Sequence, residues 1–306
     1  MSSWRSLRFE FQAMASACSL QIDGVDEQHI RQAAALAVAE VHRIEQKYSR
    51  YRPDSVTSVI NAGAGTQWVE IDAETSSLLD YAGQLWDISG GLFDITSGIL
   101  RRAWDFRVAR LPEEAQLQKL LPCIGWNQVE RRPGAVRWVG TGRELDFGGF
   151  GKEYAADRAA AVLAEQGCVH ALVNLGGDLH ALGPRGLPES FGAPWHIDIQ
   201  HPRPDPAQPL AAIAQIALSR GGLATSGDYE RFLIHDGKRY CHILNPHTGW
   251  PVHHWQSVSV LASNTSGAGA LSTIAMLKGE GASQWLQTQG VRYLTVGPDG
   301  QLAHGG

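Results

Sequence analysis

From Gln28 to Tyr48 the apolar residues Ile30, Ala34, Ala37, Val41, Ile44 and Tyr48 recur at helical spacing with charges between them, which predicts a long amphipathic helix. Pro53 breaks it, and Asp54 or Ser55 can cap a short helix through Asn61. Asp72 opens another helix, with Leu78, Leu79, Ala82, Leu85 and Trp86 on one face, which ends at Gly90-Gly91. Ser6 to Ile22 reads as extended: Phe9 and Phe11 alternate, Met14-Ala15-Ser16 interrupts, and Ala17 to Ile22 resumes. An amphipathic stretch begins near Pro112, and strands at Gln128–Arg131 and Ala135–Val139 are joined by Pro133-Gly134.

The second half alternates in the same way. Strands are predicted at Trp195–Gln200, Ile213–Leu218, Leu223–Thr225 and Ser257–Leu261. Between them Arg231–His235 and Arg239–Leu244 form a hairpin, because Asp236-Gly237 favours the type I′ turn that matches strand twist. Helices follow at Ser266–Lys278 and Ala282–Gln289, then a closing strand and a hairpin through Pro298-Asp299-Gly300. This order of elements points to an α+β fold with a mixed or antiparallel sheet and helices on its outer faces. The Gly- and Pro-rich segment at about 184–209 reads as a flexible insertion within a single domain, 1–306.

The stretch Leu145–Gly183 concentrates the chemistry. It reads as a short strand, a turn with Gly148, Gly149 and Gly151, a helix from Lys152 to Gln166 stopped by Gly167, a strand Val169–Leu175 and the turn Gly176-Gly177-Asp178. Free N–H groups at a helix start suit a phosphate or pyrophosphate, although the same glycines also serve plain packing. Asp146, Lys152, Asp157 and Asp178 add charge to the turn. The spacing GGFG is not the G-x-G-x-x-G of a dinucleotide-binding Rossmann unit.

The 306 residues carry a formal charge of -5, so nucleic acid is not an expected partner; Arg101, Arg102, Arg107 and Arg110 form a local basic cluster. Cys18, Cys123, Cys168 and Cys241 lie far apart, without zinc-ligand spacing, which fits a reducing compartment. The N-terminal MSSWRSLRFEFQAMAS carries Arg and Glu where a signal peptide needs an apolar core, and no membrane-length apolar window occurs. A cytoplasmic protein without a membrane span is the expectation.

The run Asp146–Asp157 followed by NLGGD resembles the central motif of the ApbE family, the FAD:protein FMN transferases, written as an LDLGGIAKGYAAD-like block and a later GGD. SRYRPDSVTSVINAG (49–63), GGLFDIT (90–96), SGDYERF (226–232) and HILNPHTG (242–249) resemble its other blocks in the same order. The resemblance implies a T-fold-related α+β architecture in two intimate lobes. It also implies transfer of FMN from FAD to a Ser or Thr of an acceptor flavoprotein with release of AMP, assisted by Mg²⁺.

By the same resemblance Met14, Tyr51, Leu92, Phe93, Asp94, Asp146, Lys152 and Asp228 bind the dinucleotide. His242 and Lys152 act in catalysis, and the Gly149 carbonyl and Thr273 hold the metal. On their own residues, Met14 and Phe93 read equally as core, Asp94 as a helix cap, and His242 as acid, base, phosphate donor or structural imidazole. His247, His253 and His254 match no ligand pattern and read as loop histidines.

At the metal site one position departs from the family: Gly269 stands where its metal-binding Asp would be. Asp94, Asp146, Asp178 or the Lys152 cation could substitute, and restoring the acid with Gly269→Asp is expected to tighten Mg²⁺ binding. A chain that only binds FAD, or that hydrolyses it to FMN and AMP, is the alternative.

Overall fold

The computed structural model describes residues 4–65, 67–208 and 211–306. Residues 1–3 of the N-terminal segment and residue 209 of the Pro-rich excursion, both read above, lie outside it. The chain begins with a hairpin of β1 (Arg5–Ala13) and β2 (Ser16–Gly24), followed by α1 (Glu27–Tyr48), α2 (Val56–Ala62), β3 (Val69–Glu70) and α3 (Ala73–Ser89). Asp26, Ser55 and Asp72 cap the three helices by accepting backbone N–H bonds, and Gly90 closes α3 in the left-handed conformation at φ 71°. Next come α4 (Glu114–Leu120), β4 (Val129–Arg132), β5 (Ala135–Trp138), α5 (Gly151–Glu165), β6 (Ala171–Leu175), β7 (Asp178–Ala181), β8 (Trp195–Gln200) and β9 (Ala212–Leu218). The chain closes with β10 (Gly221–Gly227), β11 (Phe232–His235), β12 (Lys238–Cys241), β13 (Ser257–Ala262), α6 (Thr265–Lys278), α7 (Ala282–Thr288), β14 (Arg292–Val296) and β15 (Leu302–Gly305).

Eight strands form one sheet in the order β1-β2-β6-β7-β10-β13-β14-β15, and each of its pairings is antiparallel. α1, α5 and α6 cover one face. The alanines of α5 at 155, 156, 159 and 160 are all buried, and with no bulk beyond Cβ they let α1 and α6 approach on both sides. On the other face the β8–β9 ribbon lays Trp195, Ile199 and Leu218 over Leu179, Ala181 and Leu223. β3, β5 and β4 make a small separate sheet, and the β11–β12 hairpin closes over Leu100, Trp104 and Leu117 through Leu233.

Asp157, one turn beyond Lys152 on α5, fixes the start of α6. Its carboxylate accepts from the Thr265 N–H at 2.7 Å, the Ser266 N–H at 2.9 Å and the Ser266 hydroxyl at 2.6 Å. Three charge-assisted bonds, two of them to orphan helix-terminal N–H groups, set the register of α6 against α5. That register decides which side chains meet in the cleft below.

Two expectations are corrected. The strand expected before the glycine turn is absent: Leu145 exchanges both backbone bonds with the Asn61 side-chain amide (2.8 and 2.9 Å), which takes the place of a neighbouring strand. Phe147–Gly149 is then a 3₁₀ turn capped by Asp146. His242 does not lie on the returning strand but one residue past β12, although its N–H still reaches the Arg231 carbonyl at 2.9 Å.

The 184–209 segment contains β8 and is tied down on both sides of it. Arg203 pairs with Asp228 through two bonds of 2.8 and 2.6 Å, and Arg185 pairs with the fully buried Asp23 at 2.7 Å, beside the Gly186 N–H at 3.0 Å. Burial alone would raise the Asp23 carboxyl; the Arg185 and Gly186 donors overcome it and hold the pKa below its ordinary 3.8. A depressed carboxylate pKa stabilises the fold above the unfolded value and loses that contribution as pH falls. Asp23→Ala is therefore expected to cost about 3 to 5 kcal/mol in urea melts near neutral pH, with a smaller deficit in acid.

Candidate active site

α5 begins at the glycine turn and places Lys152 and Glu153 in its first turn. Lys152 Nζ lies 2.7 Å from Asp178 Oδ2 and donates to the Gly176 carbonyl at 3.3 Å. Gly176 and Gly177 both have positive φ, 59° and 94°, and a Cβ on Gly176 would fall 2.7 Å from Ser16, so this turn packs directly on the β1–β2 turn. Burial works against the Lys152 ammonium, but the negative charges of Asp178, Glu153 and Glu230 outweigh it and raise its pKa. Lys152 is a fixed cation.

The β1–β2 turn is itself strained. Met14 and Ala15 hold φ of 52° and 56°, a conformation costly for side chains with a Cβ, and the Met14 N–H is held by Glu45 Oε1 at 2.6 Å. The Met14 side chain packs against the main core.

Glu153 points inward. It is 8 % exposed, and its Oε2 accepts no hydrogen bond. Burial first, and then the charge of Asp178, push its pKa up to about 8, with Lys152 opposing. Its side chain fills the space beside Gly269: a Cβ at 269 would lie 2.5 Å from Glu153 Cγ and 2.7 Å from Oε1. One turn further along α6, Thr273 Oγ1 is 2.9 Å from the Ser226 hydroxyl, which is 2.7 Å from that of Ser272. An aspartate Cβ at 269 would need the Glu153 side chain to shift, so Gly269→Asp changes the position of Glu153 as well as adding an acid.

The other candidate acids are engaged. Asp94 Oδ1 accepts from the Thr96 N–H (2.8 Å) and hydroxyl (2.6 Å), and Oδ2 from the Trp126 N–H at 2.9 Å. Asp146 accepts from the Gly148 N–H at 2.9 Å and pairs with Arg50. Asp228 is held by Arg203. Among the described residues no group of three or more His, Cys, Asp or Glu gathers to hold a metal.

His242 stands at the edge of this cluster. Its Nδ1 lies 3.2 Å from the Arg231 carbonyl, which can only accept, so Nδ1 carries the proton and Nε2 keeps its lone pair. Protein crowding, with the positive charges of Arg231 and Lys152, lowers its pKa to about 4. The ring is also exposed to solvent, which screens those charges, so the downward direction is the firm part. The imidazole is neutral near pH 7.

Tyr51 is 79 % exposed. Arg50 donates to its hydroxyl at 2.8 Å and lies over its ring at 4.9 Å, and the fields of Arg50, Arg231 and Arg101 lower its pKa further. Asp146 therefore positions Tyr51 through Arg50. Leu92 is partly buried, and Phe93 is buried against Gly149, where a Cβ would lie 2.9 Å from the ring. A cleft of about 370 Å³ opens beside them, within the size range of small-ligand sites. It is lined by Trp86, Gly91, Asp94, Ile124, Pro246 and His247 among others, so the 90–96 and 242–249 segments meet there.

Lys152, Asp178, Glu153, Thr273 and His242 thus come together, with Tyr51 in the same electrostatic field. Asp94, Asp146 and Asp228 act on loop shape through their own partners. The sequence reading did not single out Glu153, Arg50, Arg231 or Ser226. Glu153 stood inside the quoted motif, where the family block carries Gly.

Fold and site define an antiparallel α+β protein with a lysine–carboxyl cluster at a helix start. The ApbE family profile matches residues 14–295, and the chain belongs to that family. It is 33% identical over 271 residues to the FAD:protein FMN transferase of Treponema pallidum, covering 83% of this chain and 74% of that one. With the Rhodobacter capsulatus FAD:protein FMN transferase it shares 30% over 276 residues, 88% of this chain and 51% of the relative. The crystal structure of the ApbE protein of Thermotoga maritima superposes with a TM-score of 0.87 at 30% identity, covering 98% of this chain and 96% of that one. The apo flavinyl transferase ApbE of Pseudomonas stutzeri gives 0.84 at 26% identity, covering 99% and 94%. Among the described residues no helix is long and apolar enough to cross a membrane.

Proposed function

We propose that this chain is an FAD:protein FMN transferase. The hydroxyl oxygen of a Ser or Thr on an acceptor flavoprotein attacks the FMN-side phosphorus of FAD. The bond from that phosphorus to the AMP oxygen breaks, an FMN phosphodiester forms, and AMP leaves. The neutral His242, with Nδ1 on the Arg231 carbonyl and the ring in the field of the Lys152 cation, is the observation that carries this reading. Nε2 takes the hydroxyl proton, and Lys152 balances charge on the phosphoryl oxygens. Tyr51 offers an exposed aromatic face to a planar ring of the dinucleotide, worth about 0.5 to 1.5 kcal/mol beyond burial. Leu92 and Phe93 lie between Gly91 and Asp94, which line the cleft, Met14 packs on the core beside the Gly176 turn, and Asp94, Asp146 and Asp228 hold their loops.

The residues present fit a divalent cation. The Glu153 carboxyl group lies against Gly269 through Cγ and Oε1 and leaves its buried Oε2 without a partner, and the Thr273 hydroxyl and Gly149 carbonyl are the further oxygen donors proposed. Mg²⁺, when bound, supplies charge neutralisation at the pyrophosphate. Four free cysteines, three of them buried, support a cytoplasmic address.

The test is incubation with FAD, Mg²⁺ and an acceptor flavoprotein carrying a Ser or Thr site, following acceptor mass and AMP. The expected result is acceptor heavier by one FMN phosphoryl unit, with AMP in equal amount. AMP without labelled acceptor would make the chain a hydrolase, and retained intact FAD a binding protein.

A further inference from the structure

In the family block quoted above, the residue after the lysine is Gly and the acid lies on the later helix. This chain has Glu153 at the first place and Gly269 at the second. The two departures meet in space. Glu153 Cγ and Oε1 lie 2.5 and 2.7 Å from where a Cβ at 269 would be, so its carboxyl group occupies the volume of the missing aspartate side chain. No backbone change is needed, because a glutamate from α5 reaches as far as an aspartate from α6 would.

The carboxylate has not been absorbed by the fold. It is 8 % exposed and Oε2 has no partner, whereas buried polar atoms are almost always paired. Asp178 has claimed the nearby ammonium, at 2.7 Å from Lys152. Two buried carboxyl groups share one ammonium, and a hard cation would supply the counter-charge that lets the second ionise. Thr273, four residues from Gly269, presents its hydroxyl on the same face of α6.

We infer that Glu153 is the carboxylate ligand of the divalent-cation site in this chain, supplied from α5 in place of the α6 aspartate, with Thr273 as its hydroxyl partner. This rests on the flavin-transferase reading for the identity of the site, but its test does not.

Mn²⁺ alone is titrated into the full chain and followed by calorimetry and electron paramagnetic resonance. Wild type is expected to bind one ion, and Glu153→Gln, nearly isosteric, to weaken binding at least about tenfold while keeping its melting temperature. Gly269→Asp alone is expected to unfold at lower temperature, because it displaces the Glu153 side chain and adds a further acid beside two buried ones. Glu153→Gly combined with Gly269→Asp rebuilds the family arrangement and is expected to regain the affinity that Glu153→Gln loses. Unchanged Mn²⁺ affinity in Glu153→Gln, no Mn²⁺ binding by wild type, or a folded double variant that does not regain affinity would each overturn the assignment. Wild type that binds Mn²⁺ through Glu153 but transfers no flavin removes the transferase reading and leaves the ligand standing. Flavin transfer by wild type alongside unchanged Mn²⁺ affinity in Glu153→Gln removes only the ligand.

Discussion

Lys152→Met is expected to lower flavin transfer about 10²- to 10³-fold, the range seen when one preorganised donor to a developing oxyanion is removed. The loss should appear in turnover and in FAD affinity together, because the ammonium meets the pyrophosphate before and during transfer. The same substitution strips the cation from Asp178 and Glu153, which are both buried. An acid left without its partner in the interior costs about 3 to 5 kcal/mol, and since part of the lysine stays in contact with water the lower end applies. Chemical denaturation near pH 7 measures it. Lys152→Met with Asp178→Asn removes both charges, and the double variant is expected to regain most of the stability and none of the activity. A Lys152→Met protein that transfers flavin at the wild-type rate would remove the lysine from the phosphate site.

What the sequence made legible follows from how far each signal travels along the chain. α1 and α3 were readable because their apolar stripes and caps are local, and the Asp236-Gly237 turn because its backbone requirement is met by two adjacent residues, with φ of 49° and 73°. The order of strands was not readable, since a period of two tells which face is buried and not which strand lies alongside: β2 pairs with β6 about 150 residues later. Leu145 was misread for a related reason. Its backbone demand was met by a side chain, Asn61, that no pattern of strands announces.

The site divides the same way. Lys152 and Asp178 stood in two recognisable glycine turns. Glu153 was passed over because an acid in the first turn of a helix ordinarily faces solvent and complements the helix dipole. Its burial is decided by α6, more than a hundred residues downstream, and by the Asp157 bonds that set where α6 begins. A substitution of Asp by Gly on one helix was visible in the sequence; its compensation on another was visible only once the helices were packed.

His242→Ala is expected to lower turnover about 10²- to 10⁴-fold, the usual weight of one positioned base, with FAD affinity little changed and the melting temperature preserved because the ring is exposed. The pH dependence gives the sharper test. His242 is protonated only well below the ordinary 6.5, with about 4 as the unscreened limit, so wild-type transfer should persist as pH falls through 6.5 and decline below it. The sign follows from the direction of the shift. A histidine with a depressed folded pKa binds fewer protons than the unfolded chain between those two values, so its contribution to stability rises with pH across that window and is lost as pH falls. In His242→Ala the acid limb of the rate profile should vanish while the residual rate stays flat. An acid limb unchanged in the variant would assign it to another group, and a wild-type limb centred at or above 6.5 would mean that Arg231 and Lys152 do not act on the imidazole. Nitrogen chemical shifts provide an independent check: the Arg231 carbonyl requires the proton on Nδ1, leaving Nε2 as the bare nitrogen proposed to receive the acceptor's proton.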